Sequence, residues 1–203
     1  MNTMYTIGHS THSITTFIEL LKEARIAAVA DVRSAPYSRR NPQFNKEALQ
    51  RILHCNNIEH VFLGAELGGR GNPGTEHDEY GRIKYRSIAE SDVFREGLRR
   101  IKVGSTRMRL ALMCAESDPL NCHRGILISR VLAGQGIPIT HIHADGSLEP
   151  HGTAENRLLQ LFGLHAVDLF RAENQVLADA YERQEARIAY VAPNGYPREE
   201  AVG

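Results

Sequence analysis

The stretch Arg109–Gly125, which reads RLALMCAESDPLNCHRG, decides the fold. Residues 109–114 form the most apolar of the predicted strands, and this composition is typical of the buried centre of a parallel sheet. A polar loop follows, and Pro119 then favours the start of a helix. The stretch therefore predicts a central strand whose carboxyl end leads through a polar loop into a helix.

The same strand–helix pattern repeats on both sides of this stretch. Apolar runs predict strands at residues 5–7, 28–32, 60–63 and 137–143, and amphipathic runs predict helices at residues 13–21, 45–53, 90–101 and 126–132. Parallel neighbours need crossover connections, and the crossing helices cover the sheet. We therefore expect an α/β fold, a three-layer sandwich around a mostly parallel sheet of about five strands.

The last quarter of the chain departs from this pattern. Residues 155–162 and 168–190 carry apolar side chains at roughly helical spacing among many charged ones. We assign residues 1–151 to the α/β domain and residues 152–203 to a C-terminal helical extension packed on the same domain. A homodimer contact through this extension, or a lid, is the alternative interpretation.

Composition limits the class of protein. The chain has 203 residues, of which 42% are hydrophobic and 24% are charged, as in an ordinary globular domain. Lys plus Arg and Asp plus Glu each number 24, and this zero net charge argues against a protein that coats nucleic acid through bulk charge. An apolar run of 18 residues and an N-terminal signal are both missing from the sequence, so we expect a cytoplasmic protein without membrane association. Three cysteines favour free thiols over a disulfide framework.

Ionisable residues follow all five predicted strands, whereas the strands themselves are mostly apolar. Sites on parallel sheets lie beyond the carboxyl ends of the strands, so these residues are expected at one edge. The candidates at these ends are His9, Asp31, Arg33, Arg39, Arg70, Cys114, Glu116 and His141. Their coincidence at one edge favours a polar cleft there.

The most informative candidates lie at the predicted helix start after the central strand. If Asn121 caps that helix, Cys122, His123 and Arg124 occupy its first turn. A helix N-terminus binds anions and lowers a cysteine pKa, which makes a thiolate available at neutral pH. We interpret Cys122 as a nucleophile, His123 as an acid–base group and Arg124 as an anion holder; packing and capping are the structural alternative.

The remaining candidates complete this site. Cys114 is either a core residue or a second thiol opposite Cys122, and Glu116 and Asp31 are the acidic candidates for catalysis. Asp31 and Arg33 point to the same side of their strand, either as a structural brace or to orient a reacting group. The predicted substrate-binding set is His9, Arg33, Arg39, Arg70, Arg124 and His141.

Two other functions stay open at this point. A nucleotide or nucleic-acid phosphate-binding module would use a rim of arginines that includes Arg40, with Tyr37 and Phe44 stacking on bases. A metal-dependent hydrolase would use His9, Asp31 and His141 or His143 as dispersed ligands. The spacing of Cys114, Cys122 and His123 is not a usual zinc pattern, so no metal site and no cofactor is predicted.

Five motifs in one order resemble the bacterial family named domain of unknown function 488. They are Tyr5–Ser10, Asp31–Arg39, Asn41–Asn45, Glu66–Arg70 and Cys114–Arg124, followed by the ending His141–Gly146. The resemblance runs from about residue 4 to 151. It implies a compact α/β domain in a cytoplasmic bacterial or archaeal protein and no particular activity. Residues 152–203 lie largely outside the shared motifs.

A weaker likeness concerns the order of two motifs. Asp31–Arg33 after the second strand, with a cysteine ending a later central strand, looks like rhodanese-type sulfurtransferases. Those enzymes place a nucleophilic cysteine in a tight loop of backbone N–H groups that closes on an arginine. Here Arg124 follows Cys114 by ten residues and Cys122 by two, so the loop length differs, and the likeness is an analogy of fold.

Overall fold

A computed structural model describes residues 2–165 and 172–191. The strands are β1 (Met4–Gly8), β2 (Ala28–Asp31), β3 (Glu59–Phe62), β4 (Leu110–Cys114), β5 (Ile139–Ile142) and β6 (Leu148–Pro150). The α-helices are α1 (Ile14–Glu23), α2 (Lys46–Cys55), α3 (Gly64–Leu67), α4 (Tyr85–Ala89), α5 (Asp92–Arg107), α6 (Arg130–Gly134), α7 (His151–Leu161) and α8 (Glu173–Ile188).

The sheet has the order β3-β2-β4-β1-β5-β6. Its first five members run parallel, and β6 pairs antiparallel with β5. The expected α/β architecture around a mostly parallel sheet is therefore confirmed, with β4 near the centre. The sheet holds one strand more than expected, because β6 has three residues and is too short to give a periodic signal.

Side chains of β4 are buried on both faces of the sheet, as the apolar sequence predicted. Leu110, Leu112 and Cys114 join one apolar cluster, which includes residues of α5 and α8. Ala111 and Met113 join a second cluster, which includes residues of α1 and α2. Since successive side chains on a strand point to opposite faces, the two clusters are the two layers between sheet and helices.

Serine residues cap two of the helices, and the first of these caps was predicted. Ser13 precedes α1, and its Oγ accepts a hydrogen bond from the Thr16 amide at 3.0 Å. Ser91 caps α5 in the same way through the Phe94 amide at 3.2 Å, so this helix begins two residues later than expected and continues to Arg107.

The predicted helix start at Cys122 is wrong. Asp118, and not Asn121, is the capping residue, and it begins a single 3-10 turn over Pro119–Asn121. Cys122 then returns to an extended backbone (φ −142°, ψ 142°), and the next helix begins with a π-helical segment, Arg124–Ser129. The proline starts its own short turn, which Asn121 ends; Cys122 flanks that turn, and His123 flanks the π-helical segment.

Helices α7 and α8 pack on the same core as the sheet. Val176, Ala180 and Tyr181 of α8 are buried in the cluster that contains β4. Of the helix predicted over residues 168–190, Leu169 and Phe170 lie outside the described residues. Within the described ranges, every helix is too short or too polar to cross a membrane.

Candidate thiol site

The carboxyl ends of β2 and β4 border a pocket of about 250 Å³. Its walls come from the loops after β2, α3 and β4 and from the end of α8. The lining residues are Arg33, Ser34, Ala35, Gly69, Arg70, Tyr85, Cys114, Ala115, Glu116, Asn121, Cys122, His123, Ile188 and Tyr190. A larger pocket of about 540 Å³ shares Tyr85 with it but is lined by no cysteine or histidine among the described residues, so Cys114, Cys122 and His123 line only the smaller of these two pockets.

His123 lies between the two thiols. Its Nδ1 is 3.7 Å from Cys114 Sγ and 3.8 Å from Cys122 Sγ, and its Nε2 is 3.0 Å from the Val32 carbonyl oxygen. A carbonyl only accepts, so Nε2 carries a hydrogen and donates it there. Nδ1 therefore accepts from a thiol when the ring is neutral and donates to a thiolate when the ring is charged.

The charge in this cluster is concentrated on Cys122. Burial raises the pKa of Cys122, but a hydrogen bond from Cys114 and the positive charges of Arg124 and His123 outweigh it and hold that pKa well below its usual value. The hydrogen bond with Cys122, together with burial, keeps the pKa of Cys114 well above its usual value. Burial lowers the pKa of His123, yet the Cys122 thiolate raises it overall. These directions favour a thiolate on Cys122, a proton on His123 and a neutral thiol on Cys114.

Arg124 stabilises the loop between the two cysteines. Its buried guanidinium donates to the carbonyl oxygens of Glu116 (2.6 Å) and Ser117 (2.7 Å), and its backbone N–H lies 3.5 Å from Cys122 Sγ. Arg124 does not line the pocket. The predicted anion holder therefore lies behind Cys122, where it shapes the loop and supplies positive charge.

Asp31 and Arg33 form the brace that their spacing suggested. The Asp31 carboxylate accepts from Arg33 Nε at 2.9 Å and from Nη2 at 2.7 Å, and it is fully buried. Burial raises the pKa of Asp31, but its hydrogen bonds with Arg33 and the nearby His60 ring, whose Nε2 is 3.9 Å from the carboxylate, outweigh this and lower it. Arg33 reaches the pocket wall with its charge offset by Asp31, which lies behind it.

Besides Arg124, three predicted substrate-binding residues lie away from the pocket lining. His9 stacks on Phe44 with ring centres 4.3 Å apart, and burial lowers its pKa to about 4. His141 is buried and hydrogen-bonded to His151 at 2.9 Å. Arg39 is exposed. Of the predicted arginine rim, only Arg33 and Arg70 line the pocket.

Glu116 and Arg70 lie at the pocket, as the strand-end pattern predicted. The Cys114 Sγ lies 3.4 Å from Glu116 Oε2. Burial raises the pKa of Glu116, and the nearby Cys122 thiolate raises it further. The Arg70 guanidinium lies over the ring of Tyr190, 4.6 Å from its centre.

Sequence reasoning missed the aromatic wall of the pocket. Tyr85 begins α4, and about a hundred residues later Ile188 ends α8 and Tyr190 follows that helix. No motif or spacing connects these positions, because only the packing of α8 brings them to the strand ends. The sequence therefore holds no local signal that could have found them.

A metal ion has one plausible set of ligands in the described part of the chain. Cys114 Sγ, Cys122 Sγ and an imidazole nitrogen of His123 lie within 4.8 Å of one another. Two thiols and one imidazole suit zinc with one open coordination position, and a second ring nitrogen bonded to a carbonyl is usual for a metal-binding histidine. The dispersed set of His9, Asp31 and His141 or His143 forms no such group among residues 2–165 and 172–191.

Comparison with known proteins gives one match. The family model described as "Domain of unknown function DUF488" covers residues 13–131. This range lies inside residues 4–151, where the motifs resemble that family, and it ends before α7 and α8. No curated protein and no solved structure matches the chain, so the rhodanese-type likeness stays a prediction.

Proposed function

We propose that this chain, which belongs to the family described as domain of unknown function DUF488, is a thiol-dependent transferase or hydrolase acting on an anionic substrate. Cys122 is the nucleophile and His123 the general acid and base. Arg33 and Arg70 face the charge of the substrate. Asp31 and Arg124 are positioning residues, since the first holds Arg33 and the second holds the cysteine loop.

One observation carries the proposal: the Cys122 sulfur lies on a pocket wall beside an oriented imidazole. His123 Nδ1 is 3.8 Å from that sulfur, and the bond from Nε2 to the Val32 carbonyl fixes the ring. A nucleophile next to a base that a third group orients is the common arrangement of covalent catalysis. Capping alone would explain the position of Cys122 but not the imidazole between two thiols.

The reaction proceeds in two steps. The Cys122 thiolate donates an electron pair to an electrophilic carbon or phosphorus atom, and the bond from that atom to the leaving group breaks. The leaving group takes the proton from His123 Nδ1. In the second step, water or another hydroxyl compound receives the transferred group and gives a proton to Nδ1. The oxygen of that molecule attacks the electrophilic carbon or phosphorus atom, and the bond to sulfur breaks and releases the Cys122 thiolate. Water makes the enzyme a hydrolase, and any other acceptor makes it a transferase.

Alkylation kinetics test this function. The protein is treated with EDTA, reacted with iodoacetamide at pH 6, and analysed by peptide mass. We expect Cys122 to react at least about tenfold faster than the exposed Cys55, which is the internal reference, because thiolate is the reactive form. His123→Ala should slow Cys122, whereas His165→Ala, at an exposed position, should not. Faster labelling of Cys55, or an unchanged rate in His123→Ala, would contradict the proposal.

A metal centre at the same three residues is the second candidate function, and the closeness of their ligand atoms favours it. Purified protein would then contain about one equivalent of zinc, and EDTA would accelerate the alkylation of Cys122 by freeing the sulfur. The thiol-dependent mechanism instead expects the same alkylation rate with and without EDTA.

A further inference from the structure

The end of α8 forms a fixed wall of the pocket. The Tyr190 carbonyl accepts a hydrogen bond from the Ile83 amide at 3.0 Å, and Val191 forms a β-bridge with Arg82. Tyr190 itself lies outside the range matched by the family model. Backbone pairing on both residues therefore holds the Tyr190 ring at the pocket.

Gln184 connects this helix to the loop that carries the nucleophile. Its buried side-chain amide donates to the Leu120 carbonyl at 2.8 Å and to Asn121 Oδ1 at 3.1 Å. These residues directly precede Cys122. The wall and the reactive sulfur are therefore fixed relative to each other.

The wall combines an aromatic face with a cation. Tyr85, Ile188 and Tyr190 provide its apolar surface, and the Arg70 guanidinium lies 4.6 Å from the centre of the Tyr190 ring. Among the described residues no carboxylate forms an ion pair with Arg70, whereas Asp31 offsets the charge of Arg33. Of the two arginines at this pocket, Arg70 is therefore the one whose charge no described carboxylate offsets, and it attracts an anion more strongly than Arg33 does.

We propose that the substrate is a small aryl anion, whose charge binds Arg70 while its ring packs on Tyr190 and Ile188. The inference rests on the proposed function, since it places this ring next to Cys122. A pocket of about 250 Å³ is smaller than the range of about 300–1,000 Å³ for drug-sized ligands, so a single substituted ring suits it. Tyr190 is then a specificity-determining residue contributed by the C-terminal segment.

Protection of Cys122 from alkylation measures this selectivity. Benzoate, cyclohexanecarboxylate and acetate each carry one carboxylate, and only the first has an aromatic face. We expect benzoate to halve the alkylation rate at a concentration about tenfold lower than acetate, with cyclohexanecarboxylate between them. Equal protection by benzoate and acetate, equal protection by the two ring acids, or no protection by any of them would overturn the inference.

Matched variants locate the effect. Tyr190→Ala should reduce the tenfold preference for benzoate over acetate to under about threefold, and Tyr190→Phe should retain it. Arg70→Ala, at an exposed position, should weaken protection by all three acids. Tyr80→Ala is the control, since Tyr80 stacks with Arg82 at the same 4.6 Å but does not line this pocket. A preference that survives in Tyr190→Ala would refute the role of the ring.

These outcomes are separable from a failure of the proposed function. That function fails when Cys122 is no more reactive than Cys55 in the absence of any acid. The selectivity inference fails when Cys122 is reactive but the three acids do not differ. Thermal melting of each variant confirms that it is folded.

Discussion

Acidification should destabilise this protein through His141, which is buried in a chain of hydrogen bonds. His141 Nδ1 lies 2.8 Å from Thr6 Oγ1, and its Nε2 lies 2.9 Å from His151 Nδ1. His151 Nε2 is 3.0 Å from the Tyr181 hydroxyl, which donates to Glu155. Because Tyr181 donates onward, each ring has one N–H that points along the chain, and both rings are neutral.

The sign and the size of the effect follow from the pKa of His141. Burial and, to a smaller extent, the nearby His151 together lower this pKa to about 2, compared with about 6.5 in the unfolded chain. The unfolded state therefore binds the proton more tightly, and stability is lost as the pH falls below about 6.5. Between pH 7 and pH 5 the loss from this residue is about 2 kcal/mol, and any folded pKa below about 4 gives the same value.

Urea unfolding at pH 7 and pH 5 tests this value. His141→Gln keeps hydrogen-bonding groups near Thr6 and His151 but does not titrate. The wild type should lose about 2 kcal/mol more unfolding free energy than this variant between the two pH values. His54→Gln, at an exposed position, should behave as the wild type does. If the wild type and His141→Gln lose the same unfolding free energy between pH 7 and pH 5, within about 0.5 kcal/mol, the reasoning is refuted.

Two further substitutions test the loop around the thiols. Arg124→Met removes a buried guanidinium from two carbonyl oxygens and should lower the unfolding free energy by about 3 kcal/mol. Arg39→Met, at an exposed position, is the control and should change that free energy by under about 0.5 kcal/mol. Urea unfolding measures both variants. Gly8→Ala would place its Cβ 1.8 Å from the Glu116 carbonyl oxygen, so we expect a loss of about 1–3 kcal/mol and altered alkylation of the thiols. Gly152→Ala meets no atom within 4 Å and is its control; a similar melting temperature for both alanine variants would contradict the close approach.

Local patterns predicted the elements that depend on local physics. The apolar run 110–114 is a central strand because parallel strands are buried on both faces. Ser13 marks a helix start because its hydroxyl caps the first turn without help from distant residues. The start at Cys122 was mispredicted because Asp118 and Asn121 are both good caps, and the sequence does not show which one begins the turn.

The sequence by itself determined the α/β class, the central strand and the edge of the sheet where Cys114, Cys122 and His123 lie together. These features follow from periodicity and from the rule that parallel strands share one carboxyl edge. Only the tertiary structure decided that His123 lies between the two thiols, that Arg124 turns inward, and that Tyr190 lines the pocket. The physical reason is that these contacts depend on side-chain directions and on the packing of α8, which connect residues far apart in the chain.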